Sequence, residues 1–209
     1  MLKKAVQDMD EDLARGTAKQ VLDSGQDVLP AINDGLVKGM KMVADQYDKE
    51  EIFLPQVLAS ANAFYAAFEL LRPKMLETSS GSGDGHSVVI GVVEGDIHDI
   101  GKNLVKTMME ANGFNCIDLG RDVPIEDFSD KVVEVEPSFV AMSTLMTPTM
   151  KNMKRIVDEI VEENMRDGLK IIIGGGPIDE EFAEEIGADY YGDNESDAVS
   201  WLKKEAEGG

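Results

Sequence analysis

Only two histidines occur in the 209 residues, and one of them, His98, stands in an unusual run: Glu94-Gly95-Asp96-Ile97-His98-Asp99-Ile100-Gly101-Lys102-Asn103. An imidazole on a loop can ligate a metal through one ring nitrogen if the other donates its proton to an acceptor that fixes tautomer and orientation. Asp96, two residues earlier, is suited to accept. Gly95 and Gly101 allow a tight turn and let the backbone approach a bulky group closely. A single histidine cannot hold a bare zinc ion, which needs three or four protein ligands, and no second His or Cys lies at zinc-site spacing. A macrocycle that brings its own equatorial nitrogens needs only one.

The elements that must position this loop change character near the middle of the chain. From Leu2 to about Glu77 the apolar residues recur at helical spacing, as in Ile32, Leu36, Val37, Met40, Val43 and Ala44; the pattern predicts helices over 2–9, 11–24, 30–47 and 53–76, a helical bundle. Pro30 and Pro55 fit the first turns of helices, where a missing N–H costs little. Residues 78–86, with Thr78-Ser79-Ser80-Gly81-Ser82-Gly83-Asp84-Gly85, have the composition of a flexible linker, so domains are expected over 1–77 and 87–209. Beyond it, β-branched runs at 88–93, 116–119, 139–143, 170–173 and 188–191 alternate with amphipathic segments. Strand and helix taking turns predict right-handed βαβ units and a five-stranded, parallel, flavodoxin-like (Rossmann-like) α/β sheet. Such sheets bind ligands beyond the carboxyl ends of their strands, near the switch in strand order. The His98 loop follows the first strand.

Two further loops fall at the same edge. After the third strand stands Ser143-Thr144-Leu145-Met146-Thr147-Pro148-Thr149, and after the fourth stands Gly174-Gly175-Gly176-Pro177. Taken together, Asp-x-His-x-x-Gly after strand one, Ser-x-Leu-x-Thr-Pro after strand three and Gly-Gly after strand four resemble the cobalamin-binding motif of methionine synthase and of the corrinoid proteins of methylamine, methanol and betaine methyltransferase systems. In the helical half, Phe53-Leu54-Pro55-Gln56-Val57 is similar to a segment of that family's helical cap. The resemblance runs from about Asp34 to Val199.

The resemblance implies a cobalamin, with His98 as the lower axial ligand to cobalt in a base-off/His-on arrangement. Asp96 is its hydrogen-bond acceptor, and Thr149 aligns with the hydroxyl that extends the pair into a relay. Asp99, Gly101, Ser143, Leu145 and Thr147 would line the cofactor, with the hydroxyls bonding its nucleotide tail and corrin side groups. Gly174, Gly175 and Gly176 would leave a channel for the displaced tail, while Tyr47 and Leu54 of the cap would contact the upper face. The implied cobalt cycles between nucleophilic Co(I), without a lower ligand, and methyl-Co(III), which prefers one. A methyl carrier of this kind implies three partners: a substrate-specific corrinoid methyltransferase, a second methyltransferase to tetrahydrofolate or a thiol, and a reductive activase. The alternatives are a cobalamin-dependent sensor, which generally carries an output domain, and the B12 subunit of a mutase, against which the Phe-Leu-Pro-Gln cap argues.

Composition narrows the classes further. With 41 acidic against 20 basic residues and a net charge of −21, the chain would repel a polyphosphate backbone, so nucleic acid is not an expected partner. One cysteine, Cys116, excludes an intrachain disulfide and suits the reducing cytoplasm. Neither a signal peptide nor an apolar run of about 18 residues is present, and no membrane association is expected. The Gly-x-Gly-x-x-Gly turn of dinucleotide binders is absent after the first strand, and no P-loop occurs. His86 is read as solvated, Met40, Met42, Met108 and Met109 as core, and the Glu180-Glu181 and Glu184-Glu185 runs as wet helix faces.

Overall fold

A computed structural model describes residues 1–78 and 86–208, and residues 79–85 of the linker expected over 78–86 lie outside the described residues. The chain divides into two compact units, Met1–Thr78 and Ser79–Gly209.

The first unit is helical: α1 (Leu2–Gln7), α2 (Glu11–Asp23), α3 (Val28–Pro30), a π-helical segment Ala31–Val37, α4 (Lys38–Asp48) and α5 (Leu54–Thr78). The helix expected over 30–47 is thus α3, the π-segment and α4 in sequence, and it starts earlier because the Asp27 carboxylate accepts the Leu29 amide at 3.0 Å. Asp10 caps α2 in the same way through Leu13. At the start of α5, the Phe53 amide donates to Gln56 Oε1 at 2.9 Å, so Gln56 closes the first turn of the long helix that begins Leu54-Pro55. The core of this unit is built from Val6, Ala14, Ala18, Ile32, Leu36, Phe64, Phe68, Leu71 and Met75.

In the second unit, β1 (Ser87–Val93), α6 (Ile100–Ala111), β2 (Asn115–Val123), α7 (Ile125–Val135), β3 (Phe139–Ser143), α8 (Met150–Glu162), β4 (Lys170–Gly174), α9 (Glu180–Ile186), β5 (Tyr190–Tyr191) and α10 (Glu195–Gly208) alternate. The strands form one five-stranded sheet of order β2-β1-β3-β4-β5, and every pairing is parallel. Apolar residues on both faces explain why β1 reads as a continuous Val/Ile run. One face carries Val89, Val93, Val140, Met142, Ile171 and Ile173 against Phe128 of α7 and Met153, Ile156 and Ile160 of α8. Strand order reverses between β1 and β3, which puts the loops after these two strands side by side at the carboxyl edge.

β2 is longer than the expected 116–119 and irregular. Ile90 faces Asp118 but Gly91 faces Gly120, so Leu119 is inserted between them. β5 shrinks from 188–191 to two residues. His86 is not the solvated residue expected: it is half-buried, its Nδ1 lies 2.8 Å from Ser138 Oγ, and its ring meets Phe139 edge-on.

Candidate functional site

Asp96 is the centre of the site. Its side chain is fully buried at 0 % exposure, and four donors meet it at the mouth of the β1–β3 crevice. Oδ1 accepts the His98 backbone amide at 2.9 Å and lies 2.6 Å from His98 Nδ1. Oδ2 accepts the Leu145 amide and the Thr144 hydroxyl, each at 2.6 Å. Burial acts to push the carboxyl up, but the Thr144 hydroxyl, the His98 and Leu145 amides and the His98 ring together outweigh it and hold the group below the usual carboxylate range. An ionised carboxylate only accepts, so His98 Nδ1 carries the proton and donates it. The other ring nitrogen, Nε2, has no hydrogen-bond partner among the described residues, and the His98 side chain is 49 % exposed. The protein therefore presents one oriented nitrogen lone pair on an otherwise buried support.

The relay differs from the expected one in a single link. Thr144, not Thr149, touches Asp96; Thr149 Oγ1 lies one step further out, its single proton shared between Thr144 Oγ1 at 2.6 Å and the Met146 carbonyl at 2.8 Å. Thr144 was missed because only its neighbour Ser143 stands at the matching motif position. Ser143 is the last residue of β3, paired with Gly174, and the chain turns inward one residue later. Thr147 is exposed at the start of the short 3-10 turn Thr147–Thr149.

The remaining expected residues surround this support. Gly101 lies in the first turn of α6, and a Cβ there would meet nothing within 4 Å. Asp99 precedes that helix, with Oδ2 3.9 Å from Arg121. Gly174 closes β4. Gly175 has φ +130°, a conformation nearly closed to other residues, and a Cβ there would lie 1.8 Å from the Thr144 carbonyl oxygen. At Gly176 a Cβ would press on Leu145 Cδ1 at 2.9 Å. The glycines thus let the β4 loop pass directly against the β3 loop that supports Asp96. Tyr47 and Leu54 belong to the helical unit, where both are exposed, as are Phe53 and Leu58.

Beneath the site, Lys102 of α6 is buried and its Nζ lies 2.5 Å from Asp118 Oδ1, while Lys106 Nζ reaches Asp118 Oδ2 at 2.9 Å. Burial acts to raise Asp118, yet the two lysines and the Gly120 amide hold it low. The neighbouring Cys116 thiol is pushed up to about 12, chiefly by burial, and is no nucleophile.

Among the described residues no group of three His, Cys, Asp or Glu could hold a bare metal ion. One open imidazole nitrogen, with the exposed apolar residues Ile97, Leu145 and Met146 on the two loops that carry and support it, fits instead a metal that arrives in its own large ring.

Family comparison agrees with this geometry. A B12 binding domain model matches residues 86–200, and a second B12 binding domain model matches residues 1–72. The chain belongs to the B12-binding corrinoid proteins. It is 42% identical over 201 residues to trimethylamine corrinoid protein 1 of Methanosarcina acetivorans, covering 96% of this chain and 93% of the relative. With the dimethylamine corrinoid protein of Methanosarcina barkeri it shares 41% over 173 residues, 83% of this chain and 81% of the relative. The solved structure of the Methanosarcina barkeri monomethylamine corrinoid protein superposes with a TM-score of 0.89 at 35% identity, covering 97% of this chain and 95% of that one. A second solved structure, the methanol:cobalamin methyltransferase complex of the same organism, matches at 33% identity with a TM-score of 0.57, covering all of this corrinoid protein (100%) and 79% of that chain. The cofactor of the family is cobalamin. No helix among the described residues is long and apolar enough to cross a membrane.

Proposed function

We propose that this corrinoid protein holds its cobalamin base-off, with His98 Nε2 as the lower axial ligand, and shuttles a methyl group between two methyltransferases. The observation that carries this reading is the buried Asp96 carboxylate, which engages His98 Nδ1 at 2.6 Å and leaves Nε2 outward. When bound, the corrinoid supplies a cobalt centre able to accept and release a methyl group.

The chain's own residues do the rest. Asp96 fixes the tautomer and orientation of His98, and its negative charge increases the electron donation of Nε2. Thr144 and the Leu145 amide fix Asp96 in turn. When His98 disengages, Nε2 can take up a proton, and the ionised Asp96 beside it balances the new charge, so ligand release is coupled to proton uptake at one atom. The displaced nucleotide tail would lie along the Gly174-Gly175-Gly176 edge, while Tyr47 and Leu54, exposed on the helical unit, would meet the upper corrin face and keep water from it.

The donor is chosen by the first partner. That such a partner is a separate substrate-specific methyltransferase is supported by the methanol:cobalamin complex, in which the relative is seated with its methyltransferase. The second partner would pass the methyl to tetrahydrofolate or a thiol, and a reductive activase would rescue oxidised cobalt. Loading the protein with methylcobalamin and adding a cobalamin:thiol methyltransferase with its thiol tests the carrier role. Stoichiometric appearance of the methyl thioether with loss of the methylated cofactor's visible spectrum is expected; a loaded protein that keeps its methyl group beside free methylcobalamin that loses it would contradict the reading.

A further inference from the structure

The turn that carries His98 is gripped from outside its own loop. Gly95 donates its amide to Asp122 Oδ1 at 2.7 Å, and the Asp122 amide donates to the Asp96 carbonyl at 2.9 Å, so one residue closes two hydrogen bonds on successive residues of the turn. Asp122 sits near the end of β2 with φ +52°, a left-handed conformation that aspartate tolerates better than most side chains. Its placement follows from two irregularities in β2: Asp118 Oδ1 accepts the Gly120 amide at 2.9 Å with Leu119 inserted in the register, and a second shift between Gly91 and Val93, which face Gly120 and Val123, falls on residues 121–122. On the opposite flank, Asn152 of α8 donates its side-chain amide to the Glu94 carbonyl at 2.8 Å.

We propose that Asp122 is a positioning residue for the axial histidine: by clamping Gly95 and Asp96 it fixes the turn from which His98 projects. The inference rests on the reading of His98 as the lower ligand. Asp122 itself is exposed, and its side chain bonds the Gly95 amide rather than the imidazole. Its effect is therefore transmitted through the backbone of the turn, while Thr144 and Leu145 hold the Asp96 side chain from the β3 loop. Two independent grips, one on the main chain and one on the carboxylate, leave His98 little freedom to swing.

Two substitutions separate the side-chain clamp from backbone strain. Asp122→Gly keeps the left-handed backbone and the amide bond to Asp96 but removes the acceptor for Gly95, whereas Asp122→Asn keeps both the shape and an oxygen acceptor. In the protein without cofactor, amide exchange at Gly95 and His98 followed by NMR should quicken about tenfold or more in Asp122→Gly, corresponding to about 1.4 kcal/mol or more of lost local protection, and recover in Asp122→Asn. With Co(II) cobalamin bound, the nitrogen splitting in the EPR spectrum should weaken in Asp122→Gly, as a fraction of molecules loses the histidine ligand, and return in Asp122→Asn. Unchanged exchange and full nitrogen splitting in Asp122→Gly would overturn the positioning role while leaving His98 as ligand. Absence of nitrogen splitting in the wild-type protein would instead remove the ligand reading, and this proposal with it.

Discussion

Thr144→Val replaces a hydroxyl by a methyl of nearly the same size, so the fully buried site keeps its packing while Asp96 Oδ2 loses one of its two donors. Thr149 loses its contact with Thr144 but can turn its hydroxyl wholly to the Met146 carbonyl, and the Met146 amide loses only a long 3.3 Å contact, so the main cost falls on the carboxylate. A hydrogen bond to an ionised group contributes about 1.5–3 kcal/mol, and that is the expected loss in stability of the α/β unit near neutral pH. The chain's one tryptophan, Trp201, stacks on Tyr190 within this unit, so urea unfolding followed by its fluorescence reports the right transition; with a slope of about 2 kcal/mol per M, the midpoint should fall by about 1 M. The pH dependence has a definite sign. Asp96 is held below its ordinary value of 3.8, so its charged hydrogen bonds contribute fully above that value and are lost as pH falls through the lower folded value. The gap between wild type and Thr144→Val should therefore be widest near neutrality and close in acid, and it should shrink in an Asp96→Asn background. A loss under about 0.5 kcal/mol, or a gap that stays constant down to the acid edge of folding, would refute the claim that Thr144 works through the Asp96 charge.

Gly175→Ala forces a side chain into a φ of +130° with its Cβ 1.8 Å from the Thr144 carbonyl oxygen; a loss of about 3 kcal/mol or more is expected in the same assay, together with impaired corrinoid binding, whereas a near-neutral variant would show that the two loops part easily. Lys102→Met removes one of two lysines from Asp118, and because Lys106 remains, the cost should be on the order of 2–3 kcal/mol rather than the full penalty for a stranded buried charge. Thermal or urea unfolding checks this, and an equal loss in Lys102→Met made on Asp118→Asn would show that the pair does not interact.

The parts of this architecture legible in sequence are those written in local pattern. The Val/Ile runs marked the sheet, the β1 loop announced Asp96 and His98 by type and spacing, and the order of the three edge loops pointed to the crevice. Residues of ordinary type whose roles depend on a distant partner were not legible. Thr144 meets Asp96 across 48 positions, Asn152 reaches Glu94 across 58 and Asp122 grips Gly95 across 27. Motif position points to Thr149 and does not reveal where the chain turns inward after β3, which brings Thr144 to Asp96. Nothing in the periodicity of residues 31–37 marks a π-helical widening, since apolar spacing looks the same over so short a stretch. Nothing in the type or spacing of Lys102 and Asp118 marks them as a pair; the fold buries the first against the second.

The most direct test of the account is the EPR spectrum of Co(II) cobalamin bound to the wild-type protein beside His98→Ala. Nitrogen superhyperfine splitting in the wild type that vanishes in the variant, with the cofactor still retained, is the predicted result; a variant that binds the corrinoid with an unchanged spectrum would contradict His98 as the lower ligand and with it the coupling of ligand release to proton uptake.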